Sequence, residues 1–212
     1  MMSAPQFWDK IADKYSKQPV RDMDAYEQTL DRTRTYLGPQ DRVLELGCGT
    51  GTTALKLAGN VGSILATDVS TRMVEIGREK ARAEGAENVQ FAVADVLENP
   101  AGEEQFDVVL AFNLLHLLPN ADEAIAHVAT LVKPGGVFIS KTVTTPGRKM
   151  PRFMRLMLLV LPVMQMLGKA PFVKFRSQDD LHKAIERAGF KILETGNYPS
   201  APPNHFVVAR RV

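Results

Sequence analysis

The stretch Val43–Gly51, VLELGCGTG, decides how the rest of the chain is read. Its first four residues, Val43 to Leu46, have the character of a buried strand, and glycine then falls at every second position, at Gly47, Gly49 and Gly51. Glycine costs stability inside regular structure, so three at this spacing imply a backbone that a ligand must approach closely. A strand, a glycine loop and then the helix-forming run Thr50–Gly59 make the first βα unit of an α/β sheet.

The flanking sequence continues the alternation. Upstream, residues 6–17 and 24–36 read as helices, with Phe7, Trp8, Ile11 and Tyr15 on one face of the first. Gly38-Pro39 stops the second helix. The first strand is Arg42–Leu46. Downstream, Ser63–Thr67 reads as a strand ending at Asp68, Ser70–Glu84 as a helix capped by Ser70, and Val89–Val93 as a strand ending at Ala94-Asp95. Phe106–Phe112 (FDVVLAF) is an apolar run typical of a central parallel strand. A helix over Asn120–Val132, a turn at Lys133–Gly136, a strand over Val137–Lys141, a helix over 177–188 and strands over 190–196 and 205–210 complete the chain. This order predicts a right-handed, doubly wound sheet whose ligand sits past the carboxyl ends of the strands, where strand order reverses.

The 212 residues, 45% hydrophobic and 24% charged, suit one soluble α/β domain over 1–212. Residues 1–37 would form an N-terminal helical cap and 145–177 a helical lid insertion. The net charge of +2 makes no case for nucleic acid, and Cys48, the only cysteine, can form no intrachain disulfide. The N-terminus lacks a secretory pattern, no apolar run is long enough for a confident span, and no His, Cys and carboxylate cluster has metal-ligand spacing. A cytoplasmic location and no metal are expected. Nothing sets the oligomeric state.

A nicotinamide loop would read GxGxxG with pyrophosphate at the helix N-terminus. Here the spacing is GxGxG, and Glu45, two residues ahead of Gly47, would repel phosphate. The loop suits a cationic or zwitterionic ligand better. Asp68, at the end of the second strand, is placed to accept the two hydroxyls of a ribose. Asp95, at the end of the third, is placed to accept from the exocyclic amine of adenine. Met73 is placed to pack on the base, although core packing accounts for it too. An adenosine without phosphate follows, and S-adenosylmethionine, with its sulfonium and amino acid tail, matches.

The chain resembles the class I S-adenosylmethionine-dependent methyltransferases. VLELGCGTG is similar to the family's first motif, ATDVSTRM (66–73) to its second, VADVLE (93–98) to its third and FDVVLAFNLLHLL (106–118) to its fourth. LVKPGGVFIS (131–140) resembles the segment leading into the fifth strand. The resemblance implies a seven-stranded, mostly parallel sheet with an antiparallel last strand. It implies that Glu45 and Gly47, with Cys48, hold the methionine end, and that Gly49 and Gly51 admit the ligand to the backbone. Asp68 with Val69 would hold the ribose, Asp95 with Val96 the adenine, and Asn113 would present its carbonyl beside the reactive methyl. Phe7 and Tyr15 would cover the ligand. Cys48 reads as a small packing residue rather than a nucleophile.

The acceptor is less legible. An amine needs only a free lone pair, whereas a phenol, enol or carbon nucleophile needs a base. Of the four histidines, His116 lies nearest the expected cleft; His116 and Tyr15 are the catalytic candidates, although structural roles account for both. His127, His182 and His205 fall on other elements. Five of nine methionines lie between Met150 and Met166, and no acidic residue occurs from Ala124 to Gln178, where nine lysines and arginines do. The segment 148–176 therefore reads as a lid over an apolar or anionic substrate, a membrane-surface helix, or a cap packed on the core. A small, apolar, lipid- or quinone-like acceptor is the leading expectation. A non-catalytic S-adenosylmethionine-binding module and a nicotinamide oxidoreductase are the alternatives.

Overall fold

The computed structural model describes residues 2–145, 160–200 and 203–212. Seven strands, β1 (Arg42–Leu46), β2 (Ser63–Asp68), β3 (Val89–Val93), β4 (Phe106–Phe112), β5 (Val132–Val143), β6 (Phe190–Asn197) and β7 (Asn204–Arg211), form one sheet in the order β3-β2-β1-β4-β5-β7-β6. Strands β1 to β5 pair in parallel, and β7 lies antiparallel between β5 and β6, as expected for the last strand. Order reverses at β1, which pairs with β2 on one side and β4 on the other. The chain leaves β1 through the glycine loop and β4 through Asn113, so the cleft opens between these two exits.

The helices are α1 (Ala4–Ser16), α2 (Met23–Arg34), α3 (Thr52–Leu57), α4 (Thr71–Glu84), α5 (Ala121–Leu131), α6 (helical over 160–166) and α7 (Gln178–Arg187). Caps set their starts. Ser70 Oγ accepts from Met73 N–H, Ser177 accepts from Asp180 N–H and Asp22 from Ala25 N–H, each satisfying a first-turn donor that has no intrahelical partner. The central strands are buried on both faces. Val43, Val108, Leu110, Ile139, Phe206 and Val208 pack on one side with Leu30 of α2 and Leu57 of α3. Leu44, Leu46, Val109 and Phe138 pack on the other with α5 and α7.

Two boundaries differ from the sequence reading. The helix over Thr50–Gly59 shrinks to Thr52–Leu57, because Gly51 enters it in left-handed backbone with φ 74° and a 3-10 turn, Ala58–Asn60, ends it. The turn at Lys133–Gly136 lies inside β5, where a register shift between Phe106 and Val108 absorbs the Pro-Gly-Gly. A Cβ on Gly136 would stand 2.7 Å from Asp107 O, so only glycine allows this approach. Of the segment 145–177, read from sequence as a helical lid insertion, 160–166 is helical, while 146–159 lie outside the described residues. Among the described residues no helix is long and apolar enough to cross a membrane.

Candidate active site

The glycine loop turns away from β1 with three positive φ values, 64° at Gly47, 54° at Gly49 and 74° at Gly51. Cys48 N–H donates to Thr67 O at 2.8 Å and ties the loop to β2. The three glycines have different surroundings. A Cβ on Gly47 would stand 2.7 Å from Leu114, and one on Gly51 2.4 Å from the Phe91 ring. At Gly49 the nearest atom, in the Tyr15 ring, is 3.7 Å away. Gly47 and Gly51 are thus held to glycine by packing as well as by φ, and Gly49 alone has an open face. Gly51→Ala should destabilise the fold by about 2–4 kcal/mol, from the clash and the left-handed backbone together. Urea denaturation reads this directly, and an unchanged midpoint would mean that Phe91 moves aside freely.

Beneath the loop lie two acids. Asp68 Oδ2 accepts from Gly49 N–H and Oδ1 from Ser70 N–H, each at 2.9 Å. Burial pushes the Asp68 carboxyl up against the opposing pull of these backbone donors. Glu45 is 3% exposed, and its Oε2 has no hydrogen-bond partner among the described residues. Burial pushes its carboxyl up to about 8; the Ala54 N–H holds it down in part and nearby Asp68 pushes it further up. Among the described residues no cation faces these two buried acids, so Glu45 keeps its proton at neutral pH in the empty site, and a cationic ligand would favour its ionised form.

Aromatic residues flank it. Tyr15 is half exposed, and its hydroxyl is pushed up by burial and then by Asp68 and Glu45. Tyr26 of α2, which sequence reasoning missed, lies 3.1 Å from Thr53 Oγ1 through its hydroxyl, pushed up to about 12 chiefly by burial, with Glu45 contributing. Nothing in the surrounding YEQT sets Tyr26 apart from a surface tyrosine, so only the docking of α2 identifies it.

α1 is pinned across α4: Asp9 Oδ1 accepts from Ser70 Oγ at 2.6 Å and from Arg72 N–H at 3.0 Å. Met73, placed by sequence against an adenine base, is 1% exposed and packs with Ala12, Ile76 and Trp8 at this helix contact. Phe7 is likewise buried, edge-on to Trp8. Asp95 is exposed beyond β3, next to the end of β2, where Ala94 N–H donates to Asp68 O. Its Oδ1 accepts from Leu97 N–H at 3.0 Å, leaving the other oxygen without a partner among the described residues. Val69 and Val96 are half-buried beside the two acids.

At the exit of β4, Asn113 is the sole described non-glycine residue with positive φ, 55°. Its N–H donates to Lys141 O at 2.6 Å and its Oδ1 accepts from Asn204 Nδ2 at 2.9 Å. Asparagine tolerates this backbone better than most residues, and such strain gathers at functional sites.

His116 is held through its backbone and its Nδ1. Its Nδ1 lies 2.9 Å from Thr142 Oγ1, its N–H donates to the same oxygen at 3.1 Å, and its ring stacks on Phe175. Its carbonyl accepts from Lys174 N–H at 2.8 Å, so the residue fastens the end of the 160–176 segment to β5. Burial pushes the imidazole down to about 4, so it is neutral at physiological pH. His116→Gln, which keeps a hydrogen bond to Thr142, should therefore slow turnover less than tenfold, whereas loss of a general base costs roughly 10²–10⁴-fold. A single-turnover assay separates the two outcomes.

Cys48 is buried, and burial pushes its thiol well above the usual range, which suits packing. His182 and His205 share a contact of 2.8 Å between their Nε2 atoms on the α7 side of the sheet. Among the described residues no group of three or more His, Cys, Asp or Glu is placed to hold a metal.

Residues 43–136 match the profile of a family described as a methyltransferase domain. The chain carries a class I S-adenosylmethionine-dependent methyltransferase domain. It is 31% identical over 185 residues to methyltransferase calH of Penicillium decumbens, covering 78% of this chain and 48% of that protein. It is 33% identical over 102 residues to the ubiquinone/menaquinone biosynthesis C-methyltransferase UbiE of Vibrio campbellii, covering 46% and 39%. The chain spans less than half the length of these curated relatives. Its fold is similar to that of the CcbJ methyltransferase of Streptomyces caelestis, with a TM-score of 0.78, 21% identity and 100% of each chain covered.

S-adenosylmethionine is the cofactor of this family. The site of this methyltransferase domain fits it: Asp68 offers negative charge to a ligand carrying a sulfonium and an ammonium, the partnerless Glu45 oxygen does so once that ligand displaces its proton, and Gly49 leaves the approach open. The same charge disfavours pyrophosphate and sets aside the nicotinamide alternative.

Proposed function

We propose that this chain transfers a methyl group from S-adenosylmethionine to a small, apolar acceptor. The observation that carries the proposal is the buried Glu45 Oε2, partnerless among the described residues, beside Asp68 and the open Gly49, an acidic site whose ionised form a sulfonium ligand satisfies. Glu45, with Gly47 and Cys48, takes the methionine end, and Gly49 admits the ligand while Gly51 sets the turn. Asp68 with Val69 takes the ribose. Each Asp68 oxygen already accepts one backbone N–H and retains a second lone pair for a hydroxyl. Asp95 with Val96 takes the adenine, and Asn113 lies nearest the reactive methyl. Tyr15 covers the loop and orients the acceptor, and Met73 supports the site from the contact of α1 with α4.

The cofactor supplies an activated methyl on sulfonium sulfur. The chain's task is to hold the acceptor in line and exclude water. The segment 145–177 serves as a lid over the acceptor. Val160, Val163, Met166, Leu167 and Phe172 present exposed apolar surface along its described part, and the basic residues favour contact with an anionic membrane surface. The quinone-related name of the Vibrio relative supports the same acceptor class. The protein acts at the cytoplasmic side, as a domain with a cap over 1–37.

Turnover with methyl-labelled donor against quinone, phenol, lipid and amine pools tests the reading. Label in the apolar pools is expected; label in amines alone would reject the acceptor class. Donor binding without turnover in every pool would favour the non-catalytic module.

A further inference from the structure

Lys141 occupies a position that core packing does not explain. It lies on β5 between Phe112 of β4 and Phe206 of β7, on the face where Val137 and Ile139 are apolar core. It is 6% exposed. Its Nζ donates to Thr29 Oγ1 of α2 at 2.7 Å, while the Thr29 hydroxyl donates to Ala25 O. Among the described residues no carboxylate lies within salt-bridge distance of Nζ, and residues 1, 146–159 and 201–202 contain no aspartate or glutamate. The chain therefore holds a buried ammonium with one neutral partner and no counter-ion. Burial pulls it down to about 8, and Asp22, occupied by the Ala25 N–H, opposes this only at a distance. A buried cation without a partner is costly, and an apolar residue would avoid the cost.

Its backbone adjoins the exit of β4. The Lys141 carbonyl accepts from Asn113 N–H, so Lys141 sits directly behind the residue at the exit of β4. Thr29 lies one helical turn beyond Tyr26, which senses Glu45. The sheet thus divides the charges, with acids at the ends of β1 and β2 and the cation at the end of β5. The cofactor needs the acids, which leaves the cation for the acceptor.

We propose that Lys141 is an anion subsite of the acceptor pocket, holding an ionised hydroxyl, a phenolate or enolate, on an otherwise apolar acceptor. This rests on the methyltransferase reading and narrows its substrate class. An ammonium here favours the ionised, nucleophilic form of such a hydroxyl and repels a protonated amine. Methylation at oxygen, or at the carbon of an enolate, removes the negative charge from the acceptor as the sulfur keeps the C–S bonding pair. The product then has no ion pair with Lys141 and leaves readily.

The test uses two probes, 2-hydroxy-1,4-naphthoquinone, ionised at neutral pH, and its neutral 2-methoxy analogue, each with S-adenosylhomocysteine present. Trace acetylation of wild-type Lys141 by acetic anhydride, read by peptide mass spectrometry, should be suppressed at least tenfold more by the ionised probe. In Lys141→Met, calorimetry should show at least tenfold weaker binding of that probe, with S-adenosylhomocysteine affinity retained. No acetylation of Lys141, equal or absent protection, or unchanged probe affinity in Lys141→Met overturns the subsite. If Lys141→Met does not fold, the wild-type protection result decides. Failure of wild-type protein to bind S-adenosylhomocysteine would instead remove the cofactor reading.

Discussion

Asp68→Ala is expected to weaken S-adenosylmethionine binding by about 10²–10³-fold. The Asp68 carboxylate accepts from the N–H groups of Gly49 and Ser70, each at 2.9 Å, and so joins the glycine loop to the start of α4. Removing it leaves two donors without their acceptor and, on the proposed reading, deprives the ribose of its partner. Charge-assisted hydrogen bonds contribute about 1.5–3 kcal/mol each, and a loss of roughly 3–4 kcal/mol corresponds to the stated factor. Asp68→Asn keeps one acceptor oxygen and should fall between the two. Asp95→Ala should cost less than Asp68→Ala, because Asp95 is exposed and solvent replaces part of its interaction. Titration calorimetry on the three variants gives the ranking, and wild-type affinity in Asp68→Ala would remove it from the site.

The second large effect is a dependence of apo stability on pH that runs opposite to the usual behaviour of carboxylates. An unfolded glutamate titrates near 4.5, whereas buried Glu45 is pushed up to about 8. Between these values the folded chain holds a proton that the unfolded chain has released, so stability falls as pH rises from about 4.5 to about 8 and levels above. Asp68, also pushed up by burial, acts in the same direction. The contribution of Glu45 is on the order of 2–4 kcal/mol. Glu45→Gln should flatten the slope and melt higher than wild type near pH 8, yet bind S-adenosylmethionine more weakly for want of a negative charge. Thermal denaturation from pH 5 to 8.5 reads the first effect and calorimetry the second. A wild-type melting temperature that rises across this range, or a Glu45→Gln chain no more stable than wild type near pH 8, would contradict the unmatched charge at Glu45.

Local sequence determined the strands and the order in which they carry their acids. Arg42–Leu46, Val89–Val93 and Phe106–Phe112 fall where the sequence places them, and Phe106–Phe112 most plainly, since a strand buried on both faces needs a nearly continuous apolar run. Glu45, Asp68, Asp95 and Asn113 are proposed as site residues for a related reason: in a parallel sheet, position at a strand's carboxyl end is position at the cleft. Partnership was not legible, because it is settled between residues far apart in the chain. Leu114 and Phe91 hold Gly47 and Gly51 to glycine and leave Gly49 open, a distinction absent from GxGxG itself. Met73 meets Ala12, Ile76 and Trp8 only when α1 docks, and His116 meets Thr142 and Phe175 only in the folded chain. Lys141 looks like one more surface cation in a basic stretch. Only the packing of α2 over the end of β5, which brings in Thr29 from 112 residues away, buries its ammonium without a counter-ion.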